Sequence, residues 1–165
     1  MSLNSLKDVY VDQLQDLRSA CKQSHAVMDD LTEAASNDEL RKALQAGKDG
    51  IADGMANLER LISKHGASVD GAHCKGMEGL VAEARAHGLE EDFGDADARD
   101  AMIITQYQRM AHYAIAGYGC CAAFANRLNL TEEASVLGEM LDAAWGGDRH
   151  FSGIAQGQVN RAAAE

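Results

Sequence analysis

The sequence predicts an all-α protein, a bundle of four long helices with one additional short helix, and three observations point to it. Apolar residues recur at spacings of three, four and seven over most of the 165 residues, which is the period of an amphipathic helix. No stretch alternates apolar and polar residues over the length of a strand. Proline, which interrupts helices, is absent. We expect one domain over residues 1–165, because this length suits a single core.

The first two long helices are separated by a short polar segment. The first helix is expected from about Leu3 to Ala35, along one apolar stripe. Ser36 and Glu39 have the spacing of a capping box, so the second helix is expected to begin there. It is expected to end near Gly66, because glycine suits the C-terminus of a helix.

A short helix and an acidic connector follow. Apolar residues between positions 77 and 84 predict the short helix, which Gly88 would end. The segment "EEDFGDADARD", residues 90–100, is expected to be a solvated loop leading into the N-terminus of the next helix.

The last two long helices are expected to form a second pair. One runs from about Ala98 to Leu128, and the other begins after Thr131, which we expect to be its N-cap, with Glu132 and Glu133 in the first turn. The short helix then lies in a long connection between the two pairs. One long crossover of this kind is the arrangement of ferritin-like four-helix bundles.

Charge and cysteine usage exclude several classes of function. The net charge of −11 and the lack of a basic cluster argue against binding to nucleic acid or to an anionic membrane. No apolar stretch is long enough to cross a bilayer, and the N-terminus lacks the pattern of a secretory signal. The four cysteines show no CxxC pair. We therefore expect reduced thiols and a cytoplasmic protein.

A ferritin-like bundle raises the question of a di-metal site. Such a site needs acidic side chains that project inward from all four long helices, often with Glu-x-x-His motifs, and no such motif occurs here. The interior stripes instead carry small residues: Gly47, Gly50 and Gly54, then Ala111 and Ala114, then Ala144 and Gly147. The remaining metal candidates, which we do not favour as ligands, are Gln13, Asp53, His112 and Asp148.

Each of these features has a simpler structural interpretation. We favour a core or interface role for His112, whose inward neighbours are alanines, and a position at the surface or edge for Asp53 and Asp148. The glycines at 47, 50 and 54 leave space either for a ligand or for a neighbouring helix, around Tyr107 or Trp145. We favour the neighbouring helix, because empty interior volume costs stability.

Five segments together resemble the YciE/YciF family of bacterial stress-associated proteins. They are "LKDVYVDQLQDLRSACKQ", "ANLERL", "HCKGMEGLVAEA", "HYAIAGYG" and "LDAAWGGDRHF", and they follow one another over nearly the whole chain. The resemblance implies a ferritin-like bundle, a cytoplasmic location, homodimers, and a link to envelope or osmotic stress.

The departures from this family pattern fall at the positions that would supply oxygen ligands to a metal. By the resemblance, members usually have glutamate at the positions of Gln13 and Cys21, a His-x-x-Glu-Thr segment at Gly50, Asp53 and Gly54, glutamates at Ala111 and Ala114, and an acidic pair at Ala143 and Ala144. Changes on all four long helices leave too little negative charge for two cations.

Three functional hypotheses follow. The first is a non-catalytic ferritin-like protein, related to stress and dimeric, that has lost its di-metal site and binds no cofactor. The alternative is a di-iron or di-manganese metalloprotein or oxidase with a reduced site built from Asp53, His112, Asp148 and Gln13. The third is a small-molecule binder that uses the glycine-lined interior, and a sizeable continuous cavity would favour it.

Overall fold

The structure, a computed structural model, describes residues 3–164 and is all-α, as predicted. Its helices are α1 (Leu6–Ala34), α2 (Asp38–Lys64), α3 (Lys75–Arg85), α4 (Ala96–Arg127), α5 (Thr131–Ile154) and the short α6 (Asn160–Ala162). A π-helical turn, Ala86–Glu90, extends α3, and a second one, Ala155–Val159, extends α5. No strand occurs within this described range, and none of its helices is long and apolar enough to span a bilayer.

The four long helices form two hairpins. Residues 35–37 connect α1 to α2, and residues 128–130 connect α4 to α5. The α3 helix lies in the crossover between the hairpins and packs on α1 and α4. This is the ferritin-like arrangement with an additional short helix that the sequence predicts. The contact between α2 and α5 is much smaller than the contacts within either hairpin.

Two expectations that concern the N-terminus of α2 were wrong: the identity of its N-cap and the exposure of Asp100. The N-cap is Asn37 rather than Ser36, and its side-chain oxygen accepts hydrogen bonds from the amides of Glu39 and Leu40. The backbone and hydroxyl of Ser36 instead donate to Asp100. Asp100, in the segment expected to be solvated, is fully buried. The free amides at this end need an acceptor, and the carboxylate from α4 supplies one.

Two other helix ends differ from the prediction and one agrees with it. Thr131 is the first residue of α5, and the N-cap is Leu130, which makes no side-chain hydrogen bond. Gly88 does not end the third helix, because it lies inside the π-helical turn and is buried. Gly66, with a φ of 66°, follows the end of α2 as expected, in a left-handed conformation that favours glycine.

The hydrophobic core is divided into two clusters along the bundle. One cluster lies towards the C-terminal half of α1 and includes Leu31, Leu40, Ile103 and Phe151. The other lies towards the opposite end and includes Tyr10, Leu14, Leu61, Tyr118 and Leu137. The small residues of the interior stripes lie between the two clusters, so the middle of the bundle has few large side chains to fill it.

Candidate functional site

A cavity of about 460 Å³ occupies the middle of the bundle. All four long helices contribute to its walls, and Met77 of α3 touches it as well. The walls are mostly apolar, and small residues from three helices stand at their centre: Gly50, Gly54, Ala111, Ala114, Ala144 and Gly147. The space at the bundle centre is therefore open where a di-metal protein has inward carboxylates.

The charged residues that line the cavity stand at its rim. Asp53 and Arg60 on α2 are exposed, and so are Glu139 and His150 on α5. Because α2 and α5 contact each other little, the cavity opens to solvent between them. The rim carries both signs of charge, while the interior wall is uncharged.

The three spaced glycines of α2 have different surroundings. A Cβ on Gly47 would lie 2.6 Å from Oη of Tyr107, and one on Gly54 would lie 3.1 Å from Oη of Tyr118. A Cβ on Gly50 would meet no atom within 4 Å. The predicted close approach of Tyr107 is confirmed at Gly47. It is wrong at Gly50, which faces open space, and Trp145 is exposed on the surface of α5.

The hydroxyl and thiol groups in the wall stay neutral at physiological pH. Burial raises the pKa of the Cys21 thiol to about 11, and Cys21 Sγ lies 3.3 Å from Oη of Tyr118. Burial raises the pKa of Tyr118 well above its ordinary value, and that of Tyr107 to about 12. These groups can exchange hydrogen bonds, but they provide neither a thiolate nor a phenolate to bind a cation.

A second buried thiol is also inert as a nucleophile. Cys74 Sγ donates to Oη of Tyr113 at 2.9 Å, and that hydroxyl donates to Oδ2 of Asp16 at 2.7 Å. Burial raises the pKa of Cys74, so the group remains a thiol at neutral pH. These hydrogen bonds connect α1, α4 and Cys74, the N-cap of α3, so we assign them a structural role.

The positions at which the family resemblance implies metal ligands converge on this one cavity. The residues at these positions that line it are Cys21, Gly50, Asp53, Gly54, Ala111, Ala114, Ala143 and Ala144. Gln13 does not line the cavity. It is half-buried on α1, and its Nε2 donates to Asp12. Seven of these eight lining positions carry a glycine, an alanine or a neutral thiol, so they supply one carboxylate to the cavity, that of Asp53 at the rim.

His112 and Asp148 form a pair away from the cavity. His112 Nε2 lies 3.0 Å from Oδ1 of Asp148, and the histidine side chain is 53% exposed. Of the core or interface role expected for His112, the core role was wrong, and the interface role stays a prediction. Asp148, expected at the surface or edge, is buried. The amide of Gln108 donates to the same oxygen at 3.0 Å, and these partners offset the loss of hydration of the carboxylate. Trp145 packs edge-on against the imidazole ring.

The structure therefore brings together only two of the four candidate ligands. Asp53 is at the cavity rim, Gln13 is on α1 beside Asp12, and His112 contacts Asp148 between α4 and α5. Within residues 3–164, no group of three or more His, Cys, Asp or Glu side chains is close enough together to hold a metal ion. Three ligands are the usual minimum for a protein metal site.

A buried polar cluster at one end of the bundle was missed by the sequence analysis. Tyr10 Oη donates to Oε2 of Glu133 at 2.7 Å, and His65 Nε2 lies 3.0 Å from the same oxygen. Glu133 was expected only to stabilise the start of α5. No local pattern indicates this cluster, because its members come from α1, α5 and the C-cap of α2, which are distant in sequence.

Comparisons with known proteins agree with the resemblance. Residues 5–164 match the sequence family described as "Domain of unknown function (DUF892)". Protein YciF of Escherichia coli (strain K12) is 29% identical over 164 residues, which cover 99% of this chain and 98% of that protein.

Solved structures show the same fold. The crystal structure of the E. coli stress protein YciF gives a TM-score of 0.88 at 28% identity, over 96% of this chain and 99% of that one. YcfI of Rhodopseudomonas palustris, described as a candidate structural protein, gives a TM-score of 0.85 at 24% identity, over 92% and 95% of the two chains. The predicted family is confirmed: the chain belongs to the DUF892 family and is a ferritin-like bundle of the YciF type.

Proposed function

We propose that this protein is a non-catalytic bundle protein of the YciF type in which the di-metal carboxylate site has been lost. The proposal is supported chiefly by the wall of the central cavity, where Ala111, Ala114 and Ala144 face the space that metal ligands would occupy. Two adjacent divalent cations repel each other strongly, and several carboxylates are needed to offset that repulsion. The two rim carboxylates, Asp53 on α2 and Glu139 on α5, fall short of this requirement.

The biological setting of the proposal is taken from the relatives. The E. coli relative is named a stress protein, and we extend a stress-related role to this chain. The cytoplasmic location is proposed from the family resemblance and the reduced thiols expected from the sequence. We also propose a homodimer, supported by the exposed Trp145 on α5, which is 38% accessible. A solution mass equal to one chain at all concentrations in sedimentation equilibrium would contradict the dimer.

Metal analysis tests the central part of the proposal. Protein purified without chelators is incubated anaerobically with ferrous iron or manganese, desalted, and analysed by inductively coupled plasma mass spectrometry. We expect much less than one ion per chain. A variant carrying Gly50→Glu, Ala111→Glu, Ala114→Glu and Ala144→Glu serves as the positive control, because it returns carboxylates to the cavity from three helices. Two retained ions per unmodified chain would refute the proposal.

The alternative is an iron or manganese oxidase with a reduced site, and the contact between His112 and Asp148 is the observation that favours it. This hypothesis predicts oxygen consumption in the presence of ferrous iron that is lost in His112→Ala. We expect the rate for His112→Ala to equal that of the unmodified protein and of the protein-free buffer, since the pair has no third ligand among the described residues.

A further inference from the structure

The central cavity has the dimensions of a small-molecule site. Its volume of about 460 Å³ falls within the range of natural ligand pockets, about 300–1,000 Å³. Gly50 and Gly147 line it from α2 and α5, and a Cβ added to either residue would meet no atom within 4 Å. An apolar molecule that replaces water in this space would remove apolar wall from contact with solvent, which is favourable.

One buried polar side chain in the wall has no hydrogen-bond partner among the described residues. Tyr107 is 8% exposed, and its ring stacks on Phe151 with centroids 3.9 Å apart, which holds the direction of the side chain. Its hydroxyl lies against Gly47 and makes no hydrogen bond with any described residue. The hydroxyl of Tyr118, by contrast, is bonded to Cys21. The oxygen is not sealed from the cavity, so a ligand with one hydrogen-bonding group can reach it and exchange a hydrogen bond with it.

The charges around the cavity indicate an uncharged ligand. Asp53, Arg60 and Glu139 are all exposed at the rim, and the interior wall between the two core clusters has no charged side chain. An ionised group placed in the interior would lose its hydration without gaining a partner of opposite charge, which is strongly unfavourable.

We propose that the cavity binds an uncharged, mainly aromatic or aliphatic molecule with one hydroxyl or carbonyl group, which hydrogen-bonds to Oη of Tyr107 while the apolar body lies among the glycines and alanines of α2, α4 and α5. Tyr107 keeps its proton at neutral pH, because burial raises its pKa to about 12. The inference rests on the proposed loss of the di-metal site, since two cations and their carboxylates would occupy the same space.

The test uses two probes of similar shape, 1-naphthol and naphthalene, in fluorescence titrations of the full chain. Both are expected to bind the unmodified protein. Tyr107→Phe retains the ring but removes the hydroxyl, so it is expected to weaken 1-naphthol binding by about two- to tenfold. It should leave naphthalene binding unchanged, because naphthalene makes no hydrogen bond.

Two adjacent glycines of α5 provide a matched pair of variants. Gly147→Leu places a side chain into the cavity and is expected to abolish binding of both probes. Gly146→Leu makes the same change at an exposed neighbour that does not line the cavity, and is expected to bind as the unmodified protein does. Both sites have room for a Cβ. Circular dichroism confirms that each variant folds.

Three results would overturn the inference. The first is no binding of either probe to the unmodified protein, and the second is equal binding by Gly147→Leu. The third is a concentration-dependent dimer that Gly147→Leu dissociates, because a second copy would then occupy the cavity. The metal content of the same preparations separates the two proposals. Tightly held iron refutes the lost metal site, whereas absent probe binding in iron-free protein refutes only the ligand inference.

Discussion

Tyr10 and Glu133, 123 positions apart in the chain, are joined by a 2.7 Å hydrogen bond from the tyrosine hydroxyl to the carboxylate. Tyr10 is fully buried and Glu133 is 7% exposed, and His65 contacts the same carboxylate oxygen. The contact ties α1 and α5 together, and His65 adds the end of α2. This end of the bundle is therefore held by a buried polar cluster in addition to apolar packing.

Replacing Tyr10 by phenylalanine should lower the free energy of unfolding by about 1–3 kcal/mol, because a buried carboxylate loses a charge-assisted hydrogen bond. Urea denaturation at pH 7, followed by circular dichroism, measures the change. Tyr107→Phe is the control, since that hydroxyl has no partner among the described residues, and its effect should be close to zero. Equal losses in the two variants would contradict the importance of the contact with Glu133.

Asp100→Ala should be more destabilising than removal of an ordinary helix cap. The Asp100 carboxylate accepts from the amides of Ser36 and Asn37, at 2.9 and 2.7 Å, and from the Ser36 hydroxyl at 2.8 Å. Its loss leaves donors at the start of α2 without partners, which should cost about 2–4 kcal/mol. Asp95→Ala removes only the exposed N-cap of α4 and should cost about 1 kcal/mol. Chemical denaturation of both variants checks the order.

Two glycines on the same helix should respond oppositely to alanine. Gly50→Ala should raise the unfolding free energy by up to about 1 kcal/mol, because alanine favours a helix and the site has room. Gly47→Ala should lower it, because the new methyl group would collide with the Tyr107 ring, which Phe151 holds in place. Thermal unfolding gives the sign of each change. If Gly47→Ala is as stable as Gly50→Ala, the tyrosine is not packed as described.

The four cysteines should differ in reactivity. Cys120 is exposed, whereas Cys21, Cys74 and Cys121 are buried. In native protein at pH 8, we therefore expect Ellman's reagent to modify Cys120 rapidly and the other thiols only as the protein unfolds. The Cys120→Ala variant should show no rapid phase. A rapid phase that persists in this variant would mean that a buried thiol is accessible.

Alkaline pH should destabilise the fold through Cys21. Burial raises its pKa from 9.0 to about 11, so the folded state holds a proton that the unfolded chain releases at lower pH. The stabilisation from this thiol is complete below about pH 9 and is lost as the pH rises towards 11. Urea unfolding between pH 8 and 10.5 measures the decline, which should be shallower in Cys21→Ala. Cys120→Ala should leave the decline unchanged.

The helices could be predicted from the sequence because the apolar period and the end signals are local. The choice between Ser36 and Asn37 as the N-cap of α2 could not be predicted, because Ser36 donates its hydrogen bonds to Asp100, which lies 64 positions away in the chain. The orientation of the His112 side chain also could not be predicted from the sequence. Successive helical residues differ in direction by about 100°, so a small rotation of α4 moves a side chain from the interior to the surface.

The small residues around the bundle centre were predicted, but the open space between them was not. Gly47 and Gly50 look alike in the pattern, yet Tyr107 covers one and nothing covers the other. The difference depends on the distance between helices and on the stacking of Tyr107 on Phe151, and both are set by contacts across the whole fold.

The division of the core into two clusters has a consequence for local opening. Helices ordinarily exchange amide hydrogens fastest at their termini. Here Asp100 and the contact between Tyr10 and Glu133 stabilise the two ends of the bundle, while Gly50, in the middle of α2, faces the open space of the cavity. The central turns of α2 should therefore take up deuterium sooner than its outer turns, which means that local opening of this helix begins at its middle.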